Sequence, residues 1–164
     1  MADQNIKGLD ELLKFMDQLT PKIEANVARG ALRAGMNVVK PIARSNIHNV
    51  SGELSRGLKV GTRRRGSLVT SNLKATGKHR SIAHLVEFGT RAHNIAAKAK
   101  GWLSFMNIFR KEIHHPGARP RPFLRPALDA MQTPAVVAVA EYMKNRLATK
   151  HGLDTSHVVV SGDE

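Results

Sequence analysis

The chain has 164 residues, enough for one domain with its own core, and no cysteine, which excludes disulfides, thiolate metal sites and cysteine nucleophiles together. Lysine and arginine number 26 against 13 acids, and the surplus is concentrated: residues 51–120 hold fourteen basic groups and three acids. Such a field draws polyanions or acidic protein surfaces, the plainer alternative being a solvated basic face.

No apolar run approaches the ~20 residues of a membrane helix, and the opening MADQNIKGLDELLKF lacks a basic start followed by an apolar stretch, so a soluble, unexported chain with no membrane partner is expected. From Leu9, the positions Leu12, Leu13, Met16 and Leu19 fall at helical spacing and predict a short helix ending before Pro21. Thr20 reads as an N-cap and Pro21 as the first residue of a second helix. Ile23, Val27, Ala31, Ala34, Val38 and Ile42 continue its stripe, with a kink or early end at Pro41.

Ser51 and Gly52 predict a turn, after which LKVGT and SLVTSNL read as a β-hairpin whose tip is Arg63, Arg64 and Arg65. Ile82, Leu85 and Val86 match a short helix, a strand being the alternative. Residues Arg91–Gly101 look like an exposed basic excursion. GWLSFM and IFRKEI, split at Asn107, predict a second hairpin. From Phe123 a long C-terminal helix is expected, interrupted near Pro134, and the stretch after Lys150 reads as a loose tail in which Val158–Val160 could add an edge strand. The order is that of an α+β fold: a small antiparallel (mixed) sheet of four strands against a long N-terminal and a long C-terminal helix, residues 1–150 forming one domain and 151–164 a flexible tail. With aromatics at only 4%, the core must be aliphatic and alanine-rich, which suits a subunit completed by copies of itself.

Catalytic patterns are missing. The eight histidines form no HExxH and no facial triad, so no metal or cofactor is expected; no serine sits in GxSxG; Glu53 and Glu87 could be imagined as a hydrolytic pair, although Glu87 reads more simply as a structural acid answering an arginine. A nucleic-acid reading has charge but no aromatic interleaved with RRRG, leaving non-specific phosphate contact as its form.

The proline run GARPRPF should be a stiff, polyproline-like rod with unpaired backbone groups, suited to lie along another surface while Arg119 and Arg121 make forked bonds; a rigid linker that aims the last helix is the alternative. Pro126 falls in the first turn of that helix.

Three pieces, SGELSRGLKV (51–60), AHLVEFGT (83–90) and HPGARPRPFLRPALD (115–129), occur in that order after an N-terminal helix. Together they resemble the neck or tail-completion proteins of tailed bacteriophages, across roughly residues 10–145. His84 and Leu85 depart from the aromatic usual before VEFGT, and the basic loop Arg91–Lys100 is unusual. The resemblance implies a non-enzymatic virion protein, assembled in the host cytoplasm and multimerising as a hexameric or dodecameric ring at the head–tail junction. Its partners would be the head-closure or adaptor protein, tail-terminator or tail-tube proteins and, non-specifically, genomic DNA. It further implies that Gly52, Glu87, Phe88, Gly89 and Thr90 hold structural turns. Arg119, Pro120, Arg121, Pro122, Phe123 and Arg125 would then clasp a neighbouring subunit, and Arg63, Arg64, Arg65, Arg91, Lys98 and Lys100 face the DNA channel or acidic partners.

Overall fold

The computed structural model describes residues 6–17, 19–48, 52–97, 101–105 and 108–162. Strand β1 (Ile6–Lys7) leads into α1 (Leu9–Asp17), followed by α2 (Pro21–Ser45). Thr20 takes the extended N-cap conformation, but its carbonyl serves the helix, accepting the N–H groups of Ile23 and Glu24 at 2.9 and 3.0 Å. Pro41 does not end α2. Both it and Asn37, whose carbonyl it deprives of a donor, lie on the exposed side where water can serve.

In place of a simple turn, Gly52 at φ +68° precedes a short helix, α3 (Glu53–Gly57). β2 (Leu58–Arg65) and β3 (Leu68–Ala75) form the expected hairpin, in register from Leu58 opposite Ala75 to Arg65 opposite Leu68. Its tip is Gly66–Ser67, not the arginine triplet. A two-residue connection needs a positive φ, which Gly66 supplies at +59°, and that choice leaves Arg63, Arg64 and Arg65 as the last residues of β2. A 3-10 turn (Lys78–Ser81) enters α4 (Ala83–Phe88), the helical alternative for that segment.

Next come β4 (His93–Ala96), β5 (Leu103–Phe105), β6 (Ile108–Arg110) and β7 (Glu112–His115). β5 pairs with β6, and β4 pairs with β7, so the excursion expected after Arg91 contains a strand. The β5–β6 ladder lies between β4 and β7 in the chain, and the two ladders together are called the arm below. It is not hydrogen-bonded to β2–β3: the α+β class holds, but its strands form separate two-stranded ladders, and only the first hairpin packs along α2.

The last helical region is broken into α5 (Leu124–Ala130) and α6 (Gln132–His151) at Met131. Pro134 lies in the first turn of α6, where it is tolerated, so the interruption falls just before it. Beyond Lys150, where a loose tail is expected, Val158 is buried, Lys144 Nζ donates to the Val158 carbonyl at 2.6 Å, and Thr155 Oγ1 donates to that of Lys144 at 3.3 Å. The edge strand is β8 (Ser161–Gly162), paired with β1, rather than the valine run.

Two cores share α2. Its N-terminal half packs Val27 and Ala31 against Leu12 and Met16 of α1, Ala140, Met143 and Leu147 of α6, and Val158. Its C-terminal half packs Val39 and Ala43 against Leu54, Leu58, Phe123 and Ala127. Between them α2 and α6 approach closely at Gly35, where a Cβ would stand 2.8 Å from the Ala135 carbonyl oxygen.

Candidate functional site

The fold brings the EFGT segment onto the proline segment, and Glu87 joins them. One oxygen of its carboxylate accepts the N–H groups of Phe123 and Leu124 at 2.8 and 3.0 Å, and the other accepts that of Arg125 at 3.1 Å. These are free donors at the start of α5, whose N-cap position is held by Phe123, a residue with no side-chain acceptor. Glu87 therefore caps α5 from a distant part of the chain. Burial opposes its charge, yet the N–H groups of Leu124, Phe123 and Arg125, with the positive charge of Arg125, outweigh burial and hold the carboxyl below the ordinary carboxylate range.

Backbone bonds extend this clamp. Arg121 N–H donates to the Val86 carbonyl at 2.8 Å, and Thr90 and Ala118 exchange N–H bonds at 2.9 and 3.1 Å. Gly89, at φ +72°, permits the approach: a Cβ there would lie 2.5 Å from the Ala118 carbonyl oxygen. The proline rod is thus anchored along its own chain rather than left with its backbone unpaired. Its side chains divide accordingly. Phe123 is fully buried, fixed further by Asn46 Nδ2 donating to its carbonyl at 3.3 Å, whereas Arg119, Pro120, Arg121, Pro122 and Arg125 are exposed.

Of the other predicted residues, Gly52 lies apart from Glu87–Thr90, at the start of α3, and Phe88 points outward, 67% exposed, at the mouth of a cleft of about 890 Å³ between the base of the first hairpin, α4 and α5. Arg63, Arg64 and Arg65 are exposed at the far end of the hairpin, and Arg91 is exposed beside the arm. Lys98 and Lys100 lie outside the described residues. Arg119 and Arg121 line a second concavity with His48, His93 and His115 at the base of the arm.

The carboxylates offer no catalytic pair. Glu87 is engaged with backbone donors, and Glu53 bonds His79 Nε2 at 2.5 Å on the surface. Among the described residues no group of three or more His, Asp or Glu could hold a metal ion. Sequence reasoning found the β5–β6 hairpin in GWLSFM and IFRKEI but missed the pairing of β4 with β7. β4 leaves His93, Asn94, Ile95 and Ala96 all exposed, so burial imposes no alternation on it.

Residues 10–89 match the family described as "Bacteriophage HK97-gp10, putative tail-component". The matched segment runs from α1 to Gly89 and stops short of the arm and the proline segment. No curated protein and no solved structure matches the chain.

Proposed function

We propose that this chain, whose residues 10–89 match the HK97-gp10-like family of bacteriophage tail components, is a structural subunit of the phage neck. Copies form a homo-oligomeric ring, a hexamer or dodecamer, that joins or completes the tail at the head–tail interface. Its neighbours are the head-closure or adaptor protein on one side and a tail-terminator or tail-tube protein on the other.

One observation carries this reading: the distribution of large apolar side chains. The chain has only seven aromatic residues. Phe88, Trp102 and Phe109 are 67%, 59% and 62% exposed, while Phe123 is the one fully buried aromatic among the described residues. A solitary soluble protein gains stability by placing such groups inside; an assembly subunit covers them at its interfaces. The stiff segment with exposed Arg119, Pro120, Arg121, Pro122 and Arg125 is a rigid edge for such a contact, since a preorganised surface loses little entropy on binding.

Gold-labelled antibody against the protein should decorate virions at the junction of head and tail; label confined to the distal tail would refute the neck assignment. A second reading, non-specific DNA binding, draws on exposed Arg63, Arg64, Arg65 and Arg91. It requires a gel shift whose affinity falls steeply with salt and is reduced by neutralising the arginine triplet. Within a ring the two readings are compatible, with these residues facing the channel or an acidic neighbour.

A further inference from the structure

The described residues of the chain leave the large apolar side chains of the arm uncovered. Trp102, Ile108 and Phe109 are each more than half exposed, Arg110 and Lys111 are exposed beside them, and the Lys111 ammonium stands 5.4 Å from the centre of the Trp102 ring. The end of the arm is thus apolar and cationic together.

A cleft of matching character lies at the first core. It is about 460 Å³, within the ~300–1,000 Å³ typical of binding pockets. Leu13, Met16, Leu32 and Val139 line it, as do the acids Asp17 and Glu24. Arg64 also reaches this cleft, but its Nε is bonded to the Gly66 carbonyl at 2.7 Å. Leu13 is 48% exposed, so the apolar lining opens to solvent. No described residue of the chain's own arm lines this cleft. The arm springs from Thr90 and Ala118, beside the second core, whereas the cleft lies against the first.

Resting on the ring reading, we propose that the arm of one copy seats in the α1–α2 cleft of the next. Trp102 and Phe109 meet the apolar lining, while Arg110 and Lys111 face Asp17 and Glu24. Three larger concavities carry cations and no cluster of acids, Lys74, Arg80 and Arg125 in one, Arg119 and Arg121 in the second and Arg121 in the third, and would repel this arm. The two surfaces differ and lie on different parts of the molecule, so repetition of the contact is head to tail, and it closes into a ring when the rotation between copies divides a full turn.

The absence of cysteine makes the test direct. Copies of the full chain carrying Phe109→Cys are mixed with copies carrying Leu13→Cys under mild oxidation. Circular dichroism and thermal melting first establish that each retains the parent fold. A disulfide-linked pair should form about tenfold faster than from Phe109→Cys mixed with Leu128→Cys, a control on α5 that is 47% exposed, as Leu13 is at 48%, and does not line the cleft. A crosslinked species whose uncrosslinked parent sediments only as a dimer supports the arm contact and overturns the ring. Rings that show no crosslinking above the control overturn the arm contact and leave the ring reading standing. A doubly substituted chain that closes the disulfide within one copy overturns the arm contact between copies. Independently, Glu24→Lys should weaken self-association about tenfold, and Lys111→Glu in the same chain should restore it; equal losses in the single and double variants would also overturn the proposal.

Discussion

The two halves of α2 are held by different chemistry. The N-terminal half is clasped by α1, α6 and Val158 through aliphatic contacts. The C-terminal half is clasped by α3, the base of the first hairpin and α5, and there a carboxylate fixes the start of α5 and thereby the position of Phe123. Packing alone tolerates changes of pH. A clamp made by an ionised acid does not, so the region nearest the exposed proline edge and the arm is also the one expected to respond first to acid.

Phe123→Ala should be the most damaging single change to the second core, costing about 3–5 kcal/mol of unfolding free energy in denaturant titrations because a fully buried ring leaves a cavity. Leu147→Ala in the first core should cost about 2–5 kcal/mol, and nearly the same at pH 4 as at pH 7. Glu87→Ala should cost about 2–4 kcal/mol at neutral pH, since it removes a cap and strands donors at the start of α5.

The pH dependence of this clamp has a defined sign. A carboxyl whose pKa is lower in the folded chain than in the unfolded one adds stability above the unfolded value, near 4.3 for a glutamate, and loses it as pH falls through the folded value. The gap between the parent and Glu87→Gln should therefore narrow on acidification, whereas the gap between the parent and Leu147→Ala should not. Parallel narrowing in both would erase the contrast between the two cores. The smallest effect expected is for Lys144→Met: loss of its bond to the Val158 carbonyl should cost about 0.5–1.5 kcal/mol and raise hydrogen exchange in residues 153–160, with little change around α5.

Helices were legible because each buries a stripe: the spacing from Leu9 to Met16 and from Ile23 to Ile42 predicts α1 and α2, and the prolines at positions 21 and 134 fall where helices start. The hairpin was legible for its β-branched residues, though its tip was displaced because the glycine, not the charge, determines the turn. In the arm, GWLSFM and IFRKEI announced the β5–β6 hairpin, whereas the β4–β7 ladder was obscure because β4, exposed along its whole length, carries no alternation. VEFGT and PFLRPA could be singled out as segments, but their partnership could not: Glu87 answers the backbone N–H groups of residues 36 to 38 positions later, and backbone donors leave no trace in the sequence. An arginine partner for Glu87 was the natural expectation. Arg125 contributes both its backbone N–H and a favourable charge, and it is the backbone of the helix start that holds the acid.

The proposed neck ring is tested most directly by the solution mass of the full chain, measured by sedimentation together with electron microscopy of the same sample. Closed rings of six or twelve copies are the expected state, with mass in that multiple of the 18.0 kDa subunit. A particle that stays at the mass of one copy at every concentration, and remains so with purified tails or heads present, would contradict it.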